Sequence, residues 1–179
     1  MKKIVWIYGL IAGAISVSWG VLSESVFSNS LSLNTRMILG YATMIVAFSL
    51  IFVAVKNYRD TQGNGQITFG KALGIGLLIA LIASTLYVVV WEIDFRYFVP
   101  DFGDKYQAQA IAEMKQSGVS AAEIQKQSAE MTEMMQTYKT NTAYRAMFTY
   151  AEVAPVGILM SLLAALILKK KTKTAGSAQ

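Results

Sequence analysis

Between Ala72 and Trp91 the chain runs for twenty residues, ALGIGLLIALIASTLYVVVW, without one formal charge. Twenty residues of α-helix rise about 30 Å, the hydrocarbon thickness of a bilayer. A helix that is apolar on every side has no polar face to turn toward water, so this run reads as a membrane span. Two further runs share that character, Ile4 to Leu22 and Met37 to Val55, each nineteen residues without a charge. A fourth, Ala146 to Leu168, holds a single acid, Glu152, and one proline, Pro155. The expected fold class is therefore an all-α membrane protein with four transmembrane helices, over about 4–22, 37–55, 72–91 and 146–168. The whole chain forms one membrane domain, and no second soluble domain is visible.

Composition narrows the chemistry. Of 179 residues, 15% are charged, well below the roughly 25% of soluble domains. There is no Cys and no His. That removes disulfides, Cys/His zinc sites, thiol nucleophiles and imidazole acid–base chemistry. No Ser, Tyr, Lys or Glu is visibly placed as a nucleophile beside its base, so the chain is expected not to be an enzyme. No catalytic, cofactor-binding or metal site is expected either.

The net charge of +5 is a topological signal. Segments 1–3, 56–71 and 169–179 hold nine basic residues and one acid, while the rest of the chain holds seven basic residues and ten acids. Basic residues in short loops mark the cytoplasmic side. Both termini are thus expected in the cytoplasm, with residues 92–145 on the far side and 169–179 as a basic cytoplasmic tail, disordered from Thr174. The charge then bears on anionic lipid, and nucleic acid is not an expected partner. Met1-Lys2-Lys3 before an apolar run also resembles a signal peptide. Apolar character continuing through Trp19 and Gly20 favours a retained first helix.

The insert 92–145 begins with aromatic residues around Pro100, suited to headgroup depth. Two amphipathic helices should follow. The first spans about 104–116, with Tyr106, Ala110 and Met114 on one face and Gly118 as its stop. The second opens on a capping box, Ser120 with Glu123, and carries a stripe of Ile124, Ser128, Met131, Met135 and Tyr138. Elsewhere Asn34 or Thr35 should cap the second span and Thr68 the third, with a turn at Gly63-Asn64-Gly65.

Several patterns invite a functional reading. Gly65 to Lys71 has the spacing of a phosphate-binding loop, but Ala72 stands where Ser or Thr is needed for Mg²⁺, so a tight turn explains it. Met114, Met131, Met134, Met135 and Met147 could suit Cu(I), yet methionine on a helix seam is ordinarily packing. Small residues recur every fourth position: Ala12, Ser16 and Gly20; Gly76, Ala80 and Ser84; Gly157, Ser161 and Ala165. Such stripes let helices approach closely, within the bundle first and between copies of a homo-oligomer second. Glu152 is the one acid inside an apolar span, about one turn from its far-side end, where Arg96, Arg145 or water can meet it. Glu92 and Arg96, four apart at the mouth of the third span, should pair. Glu92, Arg96, Arg145 and Glu152 are therefore the candidate functional residues.

The order of motifs resembles a bacterial family. Lys56-Asn57-Tyr58-Arg59-Asp60, Gly63 to Gly65 and Ile67-Thr68-Phe69-Gly70-Lys71-Ala72 are followed by Tyr87 and Trp91 in the third span and by Pro100-Asp101-Phe102 running to Tyr106. Met131-Thr132-Glu133-Met134, Tyr138-Lys139-Thr140-Asn141, Pro155-Val156-Gly157 and the Lys-rich end complete the series. Over nearly its whole length the chain is similar to the domain of unknown function 4199 family. The resemblance implies four spans, a helical insert between the third and fourth, and a bacterial inner membrane, and carries over no activity or site residue. The expected role is a non-enzymatic scaffold or accessory subunit acting through the insert, with lipid and a protein as partners. The alternative is a small oligomeric transporter or channel with an outer vestibule at Glu92, Arg96 and Glu152.

Overall fold

A computed structural model describes residues 1–27 and 30–170; Ser28, Asn29 and the tail from Lys171, including the stretch expected to be disordered, lie outside the described residues. The described chain forms six helices: α1 (Lys2–Ser25), α2 (Leu33–Thr61), α3 (Phe69–Tyr97), α4 (Phe102–Gln116), α5 (Ala121–Thr140) and α6 (Thr142–Leu168). Four of them, α1, α2, α3 and α6, are long and apolar enough to cross a membrane, so the chain is a multi-pass membrane protein by length and composition. Each apolar run lies inside a longer helix. The 29 residues of α3 rise about 43 Å, beyond the hydrocarbon of a bilayer, so α3 either projects or tilts.

The caps follow from local chemistry. Thr68 accepts the Lys71 N–H at 3.3 Å, as expected of it. On α2 the cap is Ser32, which accepts the Thr35 N–H at 3.2 Å, and not Asn34 or Thr35. Ser32 precedes those two by two and three residues, because a cap works from the position just outside the first turn. The capping box of α5 is half made. Ser120 accepts the Glu123 N–H at 3.3 Å, while the Glu123 carboxylate takes the Gln127 amide at 2.7 Å. Asn64 and Gly65 both have positive φ, 48° and 78°, which turns the chain sharply between α2 and α3. Asn141 closes α5 and caps α6, accepting the Tyr144 N–H at 3.0 Å.

The four long helices run up and down, with α3 packed against both α1 and α6, and α2 against α1 and α6. Small residues set these distances. A Cβ on Gly76 would lie 2.8 Å from the Ser161 side chain, and one on Gly157 would lie 2.7 Å from that of Ala80. Against α1, a Cβ on Gly9 or Gly13 would come within 2.9 Å of Ile82 or Leu86. The stripes are thus used for packing inside the bundle, where close backbone approach is the main attraction available in lipid. Gly70 and Gly74 face open space.

Packing is uneven along the bundle axis. At the end holding both described termini, Phe48, Ile51, Ala54, Val55, Ile75 and Ile79 are almost completely buried. Ile67 and Lys170 exchange backbone hydrogen bonds there at 3.1 and 2.9 Å, and the Met1 amino group reaches Gln62 at 2.6 Å. The opposite end is crossed by the hairpin of α4 and α5. Its seam is the expected stripe: Met135 and Tyr138 are buried, and Ile124, Ser128 and Met131 are half-buried.

Candidate functional site

Between the hairpin and the tightly packed half lies a cavity of about 730 Å³. All four long helices line it: Trp19 and Glu24 from α1, Tyr41 and Met44 from α2, Tyr87 and Trp91 from α3, and Phe148 and Glu152 from α6. Phe102, Tyr106 and Glu113 of α4 and Met134, Met135 and Tyr138 of α5 roof it. The hairpin therefore covers a hollow in its own bundle.

Three polar clamps hold the roof down. In the first, Arg145 is almost wholly buried and grips both oxygens of Glu92, Nε to Oε1 at 2.9 Å and Nη2 to Oε2 at 2.6 Å. Its Nη1 donates to the Tyr138 carbonyl at 2.7 Å, and its guanidinium lies 4.2 Å from the centre of the Phe95 ring. Arg145 thus ties α6 to α3 and to the last turn of α5. The fork geometry of guanidinium makes this two-oxygen grip available to Arg and not to Lys.

The second clamp is Trp91, whose indole N–H donates to the Tyr138 hydroxyl at 2.6 Å. Burial pushes the Tyr138 phenol above its usual range, so it stays neutral and accepts. The third lies on the other side of the bundle. Arg36, 8% exposed, donates to Glu24 at 2.6 Å and to Gln109 at 2.7 Å. Glu113 accepts the free Leu33 N–H of the first turn of α2 at 2.8 Å. A carboxylate is favoured there because the opening N–H groups of a helix have no partner within it. Lys139 with Asp104 at 2.6 Å, and Gln107 with Thr132 at 2.7 Å, then join α4 to α5.

The four candidate residues part ways. Glu92 and Arg145 meet in the first clamp. Arg96 is exposed and forms no ion pair among the described residues, so the expected Glu92–Arg96 pair is replaced by Glu92–Arg145. The reason is desolvation: the buried guanidinium needs the carboxylate, whereas Arg96 has water. Glu152 pairs with neither arginine. It is exposed, lines the cavity, and has no hydrogen bond or ion pair among the described residues.

Arg36, Glu24, Gln109 and Glu113 were not among the candidate functional residues, because their contacts join segments 12 to 80 residues apart. One signal was available: Arg36 directly precedes the run that opens at Met37, and Glu24 follows Leu22 by two positions. Charges so close to a span end are forced toward a partner or an interface. Three buried side-chain atoms, Arg36 Nε, Ser84 Oγ and Asp94 Oδ2, have no hydrogen-bond partner among the described residues. No cluster of three or more Asp, Glu, His or Cys able to hold a metal occurs among the described residues. Of the methionines weighed for copper, Met134 and Met135 line the cavity and Met147 is exposed on α6.

No curated protein and no solved structure matches the chain. A family model does, over residues 7–170, from within α1 to just beyond the end of α6. The matched region contains every residue that lines or roofs the cavity, and the chain belongs to the family described as Protein of unknown function (DUF4199).

Proposed function

We propose that this protein is a non-enzymatic accessory protein of a bacterial inner membrane that holds an amphiphilic small molecule beneath its periplasmic insert. The observation that carries this reading is the cavity itself. A volume of about 730 Å³ lies within the range of small-molecule sites, and its lining combines aromatic and apolar walls with a few polar groups. The insert supports the reading in a way that differs from a free scaffold. Its most buried seam residues, Met135 and Tyr138, are covered by the protein's own helices, so the hairpin serves as a roof.

Native mass spectrometry of the purified protein tests this. One amphiphile should remain bound after release from detergent. Gly40→Leu should displace it, because Gly40 lines the cavity and a Cβ there already comes 3.3 Å from the Trp19 indole nitrogen. A protein that carries no amphiphile, or a variant that retains it unchanged, overturns the reading.

A transporter is the second reading, favoured by Glu152, an acid within a candidate span that has no hydrogen bond or ion pair among the described residues. Its vestibule would centre on Glu152, since Glu92 is committed to Arg145 and Arg96 faces outward. Flux in proteoliposomes that Glu152→Gln abolishes is the expected result for that reading, and no flux from the wild type removes it.

A further inference from the structure

The cavity's charges are unequal. Among the described residues its lining holds three glutamates, Glu24, Glu113 and Glu152, and one cation, Arg36. Arg36 is already engaged by Glu24 and Gln109, and Glu113 by the Leu33 N–H and the Gln109 amide at 3.1 Å. Glu152 is left over. It sits on α6 eleven positions into a helix that opens at Thr142, in the half of the bundle where the core is hollow. Its charge is uncompensated at the cavity wall, and a cation that can enter the cavity would compensate it.

The walls select what kind of cation. Trp19, Tyr41, Tyr87, Trp91 and Phe148 stand around the same space, together with the Phe102 ring of the roof. Aromatic faces attract weakly hydrated cations, most strongly when both are removed from water. A strongly hydrated metal ion would have to give up its water to a single carboxylate, and no metal cluster is present among the described residues. A neutral amphiphile would leave Glu152 unpaired. An anionic one would meet two more carboxylates than cations.

We propose that the cavity binds a lipophilic organic cation, an ammonium- or phosphonium-type head on an apolar body, with Glu152 as its counter-ion and the aromatic walls as its cage. This rests on the role proposed for the cavity, and adds to it the charge of the ligand. Glu152 would supply the charge and Trp91 and Tyr87 the ring faces, while Arg36 and Glu24 neutralise each other.

Three probes separate charge from fit: tetraphenylphosphonium, anionic tetraphenylborate of nearly the same shape, and the smaller neutral triphenylphosphine oxide. Each is titrated by calorimetry into the full chain in phosphatidylcholine nanodiscs, with uptake by empty nanodiscs subtracted. Tetraphenylphosphonium should bind, and Glu152→Gln should weaken it at least about tenfold while Glu152→Asp keeps most of the affinity. The thermal midpoint of Glu152→Gln should not fall, since that side chain holds nothing in the fold. Arg36→Gln serves as the opposite arm, and would weaken tetraphenylborate if Arg36 dominated the site.

Equal or tighter binding of tetraphenylborate or the phosphine oxide, or an unchanged affinity in Glu152→Gln, overturns the inference and leaves the cavity reading standing. Failure of all three probes, with an amphiphile still retained in native mass spectrometry, also overturns it. If the native spectra are empty as well, both fall together.

Discussion

Arg145 and Glu152 lie seven positions apart on α6, and their environments set them opposite tasks. Arg145 is almost wholly buried, with its three nitrogens all donating, so its charge is consumed in holding three helices together. Removing the partner of such a buried ion leaves an uncompensated charge, a loss of roughly 3 kcal/mol. Glu92→Gln is therefore expected to lower the thermal midpoint in detergent markedly. The double variant Glu92→Gln with Arg145→Gln should recover part of that loss, because it removes the stranded charge too. Recovery of nothing would mean the pair is not the source of the stability. Glu152, by contrast, should be replaceable without loss of stability.

Among the helices, two glycine positions predict opposite outcomes on substitution. Gly157→Leu puts atoms where Ala80 and Phe48 already stand, with the nearest contact to a Cβ at 2.7 Å, and should force α6 from α3 at a cost of at least about 2 kcal/mol. Gly74→Ala meets nothing within 4 Å and should gain roughly 0.5–1 kcal/mol of helix propensity. Thermal unfolding of the two variants side by side checks the contrast. The repeat of small residues every fourth position was readable in the sequence as a close-packing face. Which helix each stripe would meet was not, because spacing describes one helix and the partner depends on the arrangement of all four. The capping of α2 by Ser32 and Glu113 shows the same limit. Any of Ser32, Asn34 and Thr35 could cap by residue type, and Glu113 reaches Leu33 from 80 residues away.

For the whole molecule, the uneven packing matters most: one half is solid and carries the described termini, and the other is hollow and roofed. The proposed orientation puts the solid end in the cytoplasm. The chain contains no cysteine, so single-cysteine labelling is clean. Gln125→Cys on the exposed face of α5 should react with a membrane-impermeant maleimide in cells whose outer membrane is permeabilised, and Thr61→Cys only after the inner membrane is opened. The reverse pattern would invert the topology and move the cavity to the cytoplasmic side.

The sequence by itself determined the number of long apolar helices, the hairpin between the third and fourth, and the faces on which small residues would pack. Those features are written locally, in runs of apolar residues, in caps and in spacings of three and four. It also singled out Glu152, since one acid in an apolar span is a local oddity. The cavity, the Arg145–Glu92 clamp, the Arg36 clamp and the lack of a partner for Glu152 among the described residues were decided only in three dimensions. Each depends on which side chains from distant segments reach the same point, and on which carboxylate a buried arginine takes for its own. The tertiary structure gave Arg145 to Glu92, and that choice left Glu152 facing the empty space.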